Sequence, residues 1–60
     1  MNQYEKNFIS NRFDRAEIAL HDIYKVLMRE EGHEAEEEAM EDLFVVLDSV
    51  RTAVARIKAV

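Results

Sequence analysis

The stretch Leu27-Met28-Arg29-Glu30-Glu31-Gly32-His33-Glu34 decides the fold, because it sets the only glycine of the chain between two long apolar repeats. On its N-terminal side Ile9, Phe13, Ala16, Leu20, Ile23 and Leu27 recur at alternating steps of four and three. On its C-terminal side Ala39, Leu43, Val46, Val50, Ala53, Ile57 and Val60 do the same. That spacing keeps each set on one face of a helix. Glycine reaches the left-handed conformation that ends helices without a side-chain penalty. Reversing the chain at Gly32 matches the repeats rung by rung. Ile9 then meets Ile57, Phe13 meets Ala53, Ala16 meets Val50, Leu20 meets Val46, Ile23 meets Leu43 and Leu27 meets Ala39. The expected fold is all-α, a helical hairpin in a single domain.

The ends of both helices are written locally. Asn2 with Glu5 three residues later has the form of a capping box. Helix 1 is expected over about 3–31, roughly 43 Å at 1.5 Å per residue. Arg29 suits the negative end of its dipole. Helix 2 is expected over about 34–59, opening on glutamates that the positive end of a helix favours. There is no proline to interrupt either helix.

Sixty residues make one small domain. Chains of this size are marginal alone and rely on disulfides, metals or oligomerisation. No cysteine is present, which removes disulfides and thiolate metal sites and leaves assembly. The N-terminal Met-Asn-Gln-Tyr-Glu-Lys is polar, and no stretch approaches the roughly 20 apolar residues of a membrane span. The chain reads as soluble and cytoplasmic, close to a complete small gene product.

Apolar residues also spread beyond the two stripes. Met40, Leu47 and Val54 form a second line on helix 2, with Phe44 further round. Ala19, Tyr24 and Val26 flank the line on helix 1. A two-helix seam is too narrow for these, so a homodimer closing into a four-helix bundle is expected. Its core would be Ile9, Phe13, Leu20, Ile23, Leu27, Leu43, Val46, Val50 and Ile57. Charge selects its orientation. Glu30, Glu31, Glu34, Glu36, Glu37, Glu38, Glu41 and Asp42 crowd the turn, whereas Lys6, Arg12, Arg15, Arg51, Arg56 and Lys58 gather at the open end. An antiparallel dimer sets each acidic turn beside the basic end of its partner.

Chemistry-bearing patterns are sparse. Glu30 and His33 form Glu-x-x-His, and Glu17 and His21 are four apart, but the glycine interrupts the first pair and the second flanks the core line. No metal or cofactor is expected. Ser10 and Ser49 have no histidine placed to activate them, so no enzyme activity and no small-molecule substrate are expected. The net charge of −5 argues against general nucleic-acid binding. The acidic turn is either a solvated helix start or a docking surface for a basic protein. Met40, Phe44 and Leu47, rimmed by Glu37 and Glu41, form an apolar strip that either completes the dimer or holds a protein partner. A second candidate surface is the polar stripe of helix 1, Gln3, Asn7, Asn11 and Arg15, with the outward Ile18.

In architecture and size the chain resembles the Rop family of plasmid copy-number proteins, with Glu5-Lys6 and Arg12-Phe13 as the matching residues. The resemblance implies an acidic hairpin dimer that binds paired RNA loops with one face. The RNA-contacting asparagine and phenylalanine of that family lie one turn apart on an outer face. Here Phe13 is on the core line and Asn11 is not four residues before it, so no RNA site is carried over. The expected function is that of a small acidic regulator that binds another protein, such as a DNA-binding transcription regulator. Antirepressors, anti-activators and antitoxins of phages and plasmids are often this small and acidic. The alternatives are an RNA-binding dimer and a purely structural bundle.

Overall fold

A computed structural model describes all 60 residues, and they form two helices, α1 (Gln3–Arg29) and α2 (Glu34–Ala59), folded back on one another. The Asn2 side chain accepts from the Glu5 backbone N–H at 2.8 Å, and the Asn2 N–H donates to the Glu5 carboxylate at 3.1 Å, so the capping box is complete. α1 stops two residues short of the expected end. Glu30 is already extended (φ −113°, ψ 148°), and its N–H reaches back to the Leu27 carbonyl. Gly32 then supplies the one positive φ of the chain, 89°. Four residues, 30–33, therefore reverse the direction. α2 begins at Glu34 without a side-chain cap, and Glu34, Glu36 and Glu37 fill its first turn. Carboxylates there interact favourably with the exposed N–H groups.

The axial register of the hairpin is the one the rungs predict, but the rotation of the helices is not. Contacts across the seam join Tyr24 to Glu41 and Phe44, His21 to Phe44, and Glu17 to Arg51. These heights agree with the expected pairing of Ile23 with Leu43 and Ala16 with Val50. The faces differ. α2 turns Met40, Phe44, Leu47, Val54 and Ile57 toward α1, all half-buried, and leaves Leu43, Val46 and Val50 exposed. The shift is about one residue, or ~100° of helix rotation. On α1 Ile9, Phe13, Leu20 and Leu27 keep their place in the seam, joined by Ser10, Glu17 and Tyr24, while Ile23 is exposed.

The physical reason is that α2 carries two heptad lines side by side. Periodicity fixes that both lie on one broad apolar arc and does not rank them. The inner line wins because it brings the Phe44 ring onto Tyr24 and His21 and sets Arg51 against Glu17. No residue is fully buried, and the molecule measures 46 × 16 × 11 Å. No helix is long and apolar enough to cross a membrane.

Candidate functional site

The two edges of the hairpin have opposite characters, and both follow from helix geometry. Along one edge the seam is closed by polar and aromatic groups. The Tyr24 hydroxyl donates to Glu41 at 2.7 Å. The hydrogen bond and the nearby carboxylates of Glu41 and Glu37 push the phenol above its usual range. Arg51 donates from Nε to Glu17 at 3.3 Å and from Nη2 to the other oxygen of the same carboxylate. Its Nη1 donates to Asp48 at 2.7 Å. This fork raises the guanidinium above its ordinary value, Glu17 being the main cause. Glu17 itself is largely covered, its side chain 13% exposed. Beside these pairs His21 stacks on Phe44 with ring centres 4.2 Å apart and planes 9° from parallel. Tyr24 meets the same ring edge-on at 5.5 Å.

The other edge is mostly apolar. Over the middle of each helix the residue just before a seam position is apolar. Ala16 and Ile23 precede Glu17 and Tyr24 on α1. Leu43 and Val50 precede Phe44 and Arg51 on α2. The same offset on two antiparallel helices falls on the same edge. Val26 and Val46 extend the surface outward. Ile23, Val26 and Val46 are 51%, 50% and 58% exposed. These side chains leave apolar surface in contact with water along this edge.

The Met40–Phe44–Leu47 strip lies elsewhere than the partner surface expected for it. All three side chains face α1, Glu37 is half-buried beside them, and Glu41 is engaged with Tyr24. Phe44 is an intrachain anchor, because its ring is held between His21 and Tyr24. Of the predicted assembly residues, Ile23, Leu43, Val46 and Val50 stand on the open edge, and Ile9, Phe13, Leu20, Leu27 and Ile57 in the seam.

The second predicted surface is exposed as a whole: Asn7, Asn11, Arg15 and Ile18 all face outward. Asn7, Asn11 and Arg15 line a shallow depression with Tyr4, Phe8 and Arg12. The Arg12 guanidinium sits 4.9 Å from the centre of the Phe8 ring, and Gln3 donates to Asn7 at 3.1 Å. Ile18 borders a separate hollow with Asp14, Glu17, His21 and Arg51. Sequence reading missed Tyr4, Phe8 and Arg12 on this face. Their spacing, four and four with Arg15 three further on, is a helical stripe that carried the signal.

Glu30 and His33 approach to 3.2 Å as an exposed pair. No group of three or more histidines and carboxylates is arranged to hold a metal ion. At the open end Lys6 donates to the carbonyl of Val60 and ties the two helix ends together. No family model, no curated protein and no solved structure matches this chain.

Proposed function

We propose that this chain is a small, non-enzymatic regulatory protein of the cytoplasm that acts by binding another macromolecule, and that its working form is a homodimer closed into an antiparallel four-helix bundle. The open apolar edge carries this reading. A hairpin with no fully buried residue leaves Ile23, Val26, Leu43, Val46 and Val50 in water unless something covers them. The favoured partner of the dimer is a protein with a basic surface, such as a DNA-binding transcription regulator, whose cations meet the carboxylates around the turn. Opposite charge of this kind speeds encounter and excludes wrong partners. An inhibitor of the antirepressor or antitoxin type fits this size and charge.

A second reading is favoured by the outer face of α1. Tyr4, Phe8, Arg12 and Arg15 combine exposed rings with two cations, and Asn7 and Asn11 add amides, with no carboxylate among the six. Rings, arginines and amides together are what RNA recognition uses. On this reading the dimer binds RNA, as the Rop-like architecture implies.

Affinity capture from the native host, with and without nuclease, separates the two. A bound protein that survives nuclease and elutes with rising salt fits the first reading. Material lost on nuclease treatment fits the second. Enzymatic turnover by the purified chain would refute both.

A further inference from the structure

We infer that the open edge is covered by a second copy of this chain laid face to face with its turn at the opposite end, so that α2 packs antiparallel on the partner's α2 and α1 on the partner's α1. This rests on the homodimeric reading above and adds the face, the helix pairing and the register. The line Ala39, Leu43, Val46, Val50, Ala53, which the sequence offers as the seam within the hairpin, becomes the contact between hairpins.

Symmetry leaves two ways to stack such faces. A two-fold axis across the helices opposes the turns and pairs like helices. A two-fold axis along the helices puts both turns together and pairs α1 with the partner's α2. Both are isologous, the usual kind of contact between identical chains.

Charge chooses between them. The half of the hairpin nearer the turn, residues 18–46, holds nine carboxylates and two cations, a net −7. The other half holds four carboxylates and six cations, a net +2. Turns together would set −7 on −7 within about one interhelical distance, ~8–10 Å, where screening at physiological salt is incomplete. Turns opposed set each acidic half beside a basic one.

The line itself is nearly symmetric about Val46, which suits an antiparallel pairing centred there. Ala39 and Ala53 lie seven residues to either side, so each alanine falls opposite the other. Leu43 falls close to the partner's Val50. Arg56 and Lys58 come level with the partner's Glu36 and Glu34. The face also has the right size. Its 46 × 16 Å outline is on the order of 700 Å² in projection, close to the ~800 Å² per partner of a standard interface.

Because the chain has no cysteine, single thiols report the pairing without interference. Ala39→Cys and Ala53→Cys chains, one of them isotopically labelled, are mixed and oxidised in a glutathione buffer, and the disulfide-linked products are weighed by mass spectrometry. The mixed disulfide, which joins one variant to the other, should exceed either homodisulfide about tenfold. Linkage of Val26→Cys to Ala39→Cys chains, or dominant homodisulfides, would overturn the opposed-turn arrangement. Light scattering keeps the face testable if a thiol variant folds poorly. Val46→Glu should move the particle from about 14 kDa to about 7 kDa, and Val45→Glu, one residue round the helix, should leave it dimeric. Equal dissociation by both, or by neither, would refute the assigned face. A wild-type monomer would sink the homodimer itself, whereas a dimer in which the mixed disulfide does not form would sink only this orientation.

Discussion

The stack of His21 on Phe44 reports how α2 is turned about its own axis, and a double-mutant cycle on the two residues measures it. Phe44→Ala should cost about 2–3 kcal/mol. Truncating a fully buried phenylalanine costs ~3–5 kcal/mol, and Phe44 is only half-buried, so its cost falls at or below the foot of that range. His21→Ala should cost less, about 0.5–1.5 kcal/mol, because His21 is exposed and the stack is most of what it loses. The informative quantity is the coupling. Rings stacked at 4.2 Å with a 9° tilt should be worth ~0.5–1.5 kcal/mol beyond their area. Urea denaturation followed by circular dichroism, at one fixed chain concentration because assembly shifts apparent stability, yields all four stabilities of the cycle. If α2 were turned as its other heptad line suggests, Phe44 would point ~100° away from α1. The two substitutions would then add to within ~0.3–0.5 kcal/mol. Additivity of that kind would refute the rotation of α2, and with it the assignment of Leu43, Val46 and Val50 to the open edge.

Two further outcomes follow from single groups. Gly32→Ala should destabilise the hairpin by about 1 kcal/mol, since φ is 89° there while open space surrounds the position, leaving backbone strain as the cost; a raised melting temperature would show that the chain does not reverse at this residue. Tyr24, whose phenol is held above its usual range by donating to Glu41, contributes stability that is intact below the ordinary tyrosine pKa of about 10 and is lost as pH rises through the raised folded value. The urea midpoint should therefore fall more steeply above about pH 10 in the wild type than in Tyr24→Phe, and identical pH profiles would remove the Tyr24–Glu41 bond from the seam.

Local signals in this sequence read cleanly because each is short-range. Asn2 and Glu5 announce a capping box and form one. Gly32 announces a reversal and takes a positive φ. α2 starts at Glu34, two residues after that reversal. The height at which the helices meet was legible too, since a reversal at a known residue fixes which turn lies beside which. Rotation was not. Leu43–Val46–Val50 and Met40–Leu47–Val54 are equally good heptad lines, and apolarity alone does not rank them. What separates them is polar: Glu17 and Tyr24 in the seam of α1 need partners, and the Met40–Leu47 rotation offers Arg51 and Glu41 at matching heights. Reading Glu17 against Arg51 first would have turned α2 correctly. Without that pair Phe44 looks like an outward anchor.

The bond from Lys6 to the carbonyl of Val60 joins residues separated by nearly the whole chain. It sits where both helices would otherwise fray, far from the turn that tethers them covalently. The hairpin is thus held like a pair of tongs, hinged at Gly32 and latched at its tips. A latch made by a single lysine is weak and quickly broken, so the tips are where the hairpin opens first.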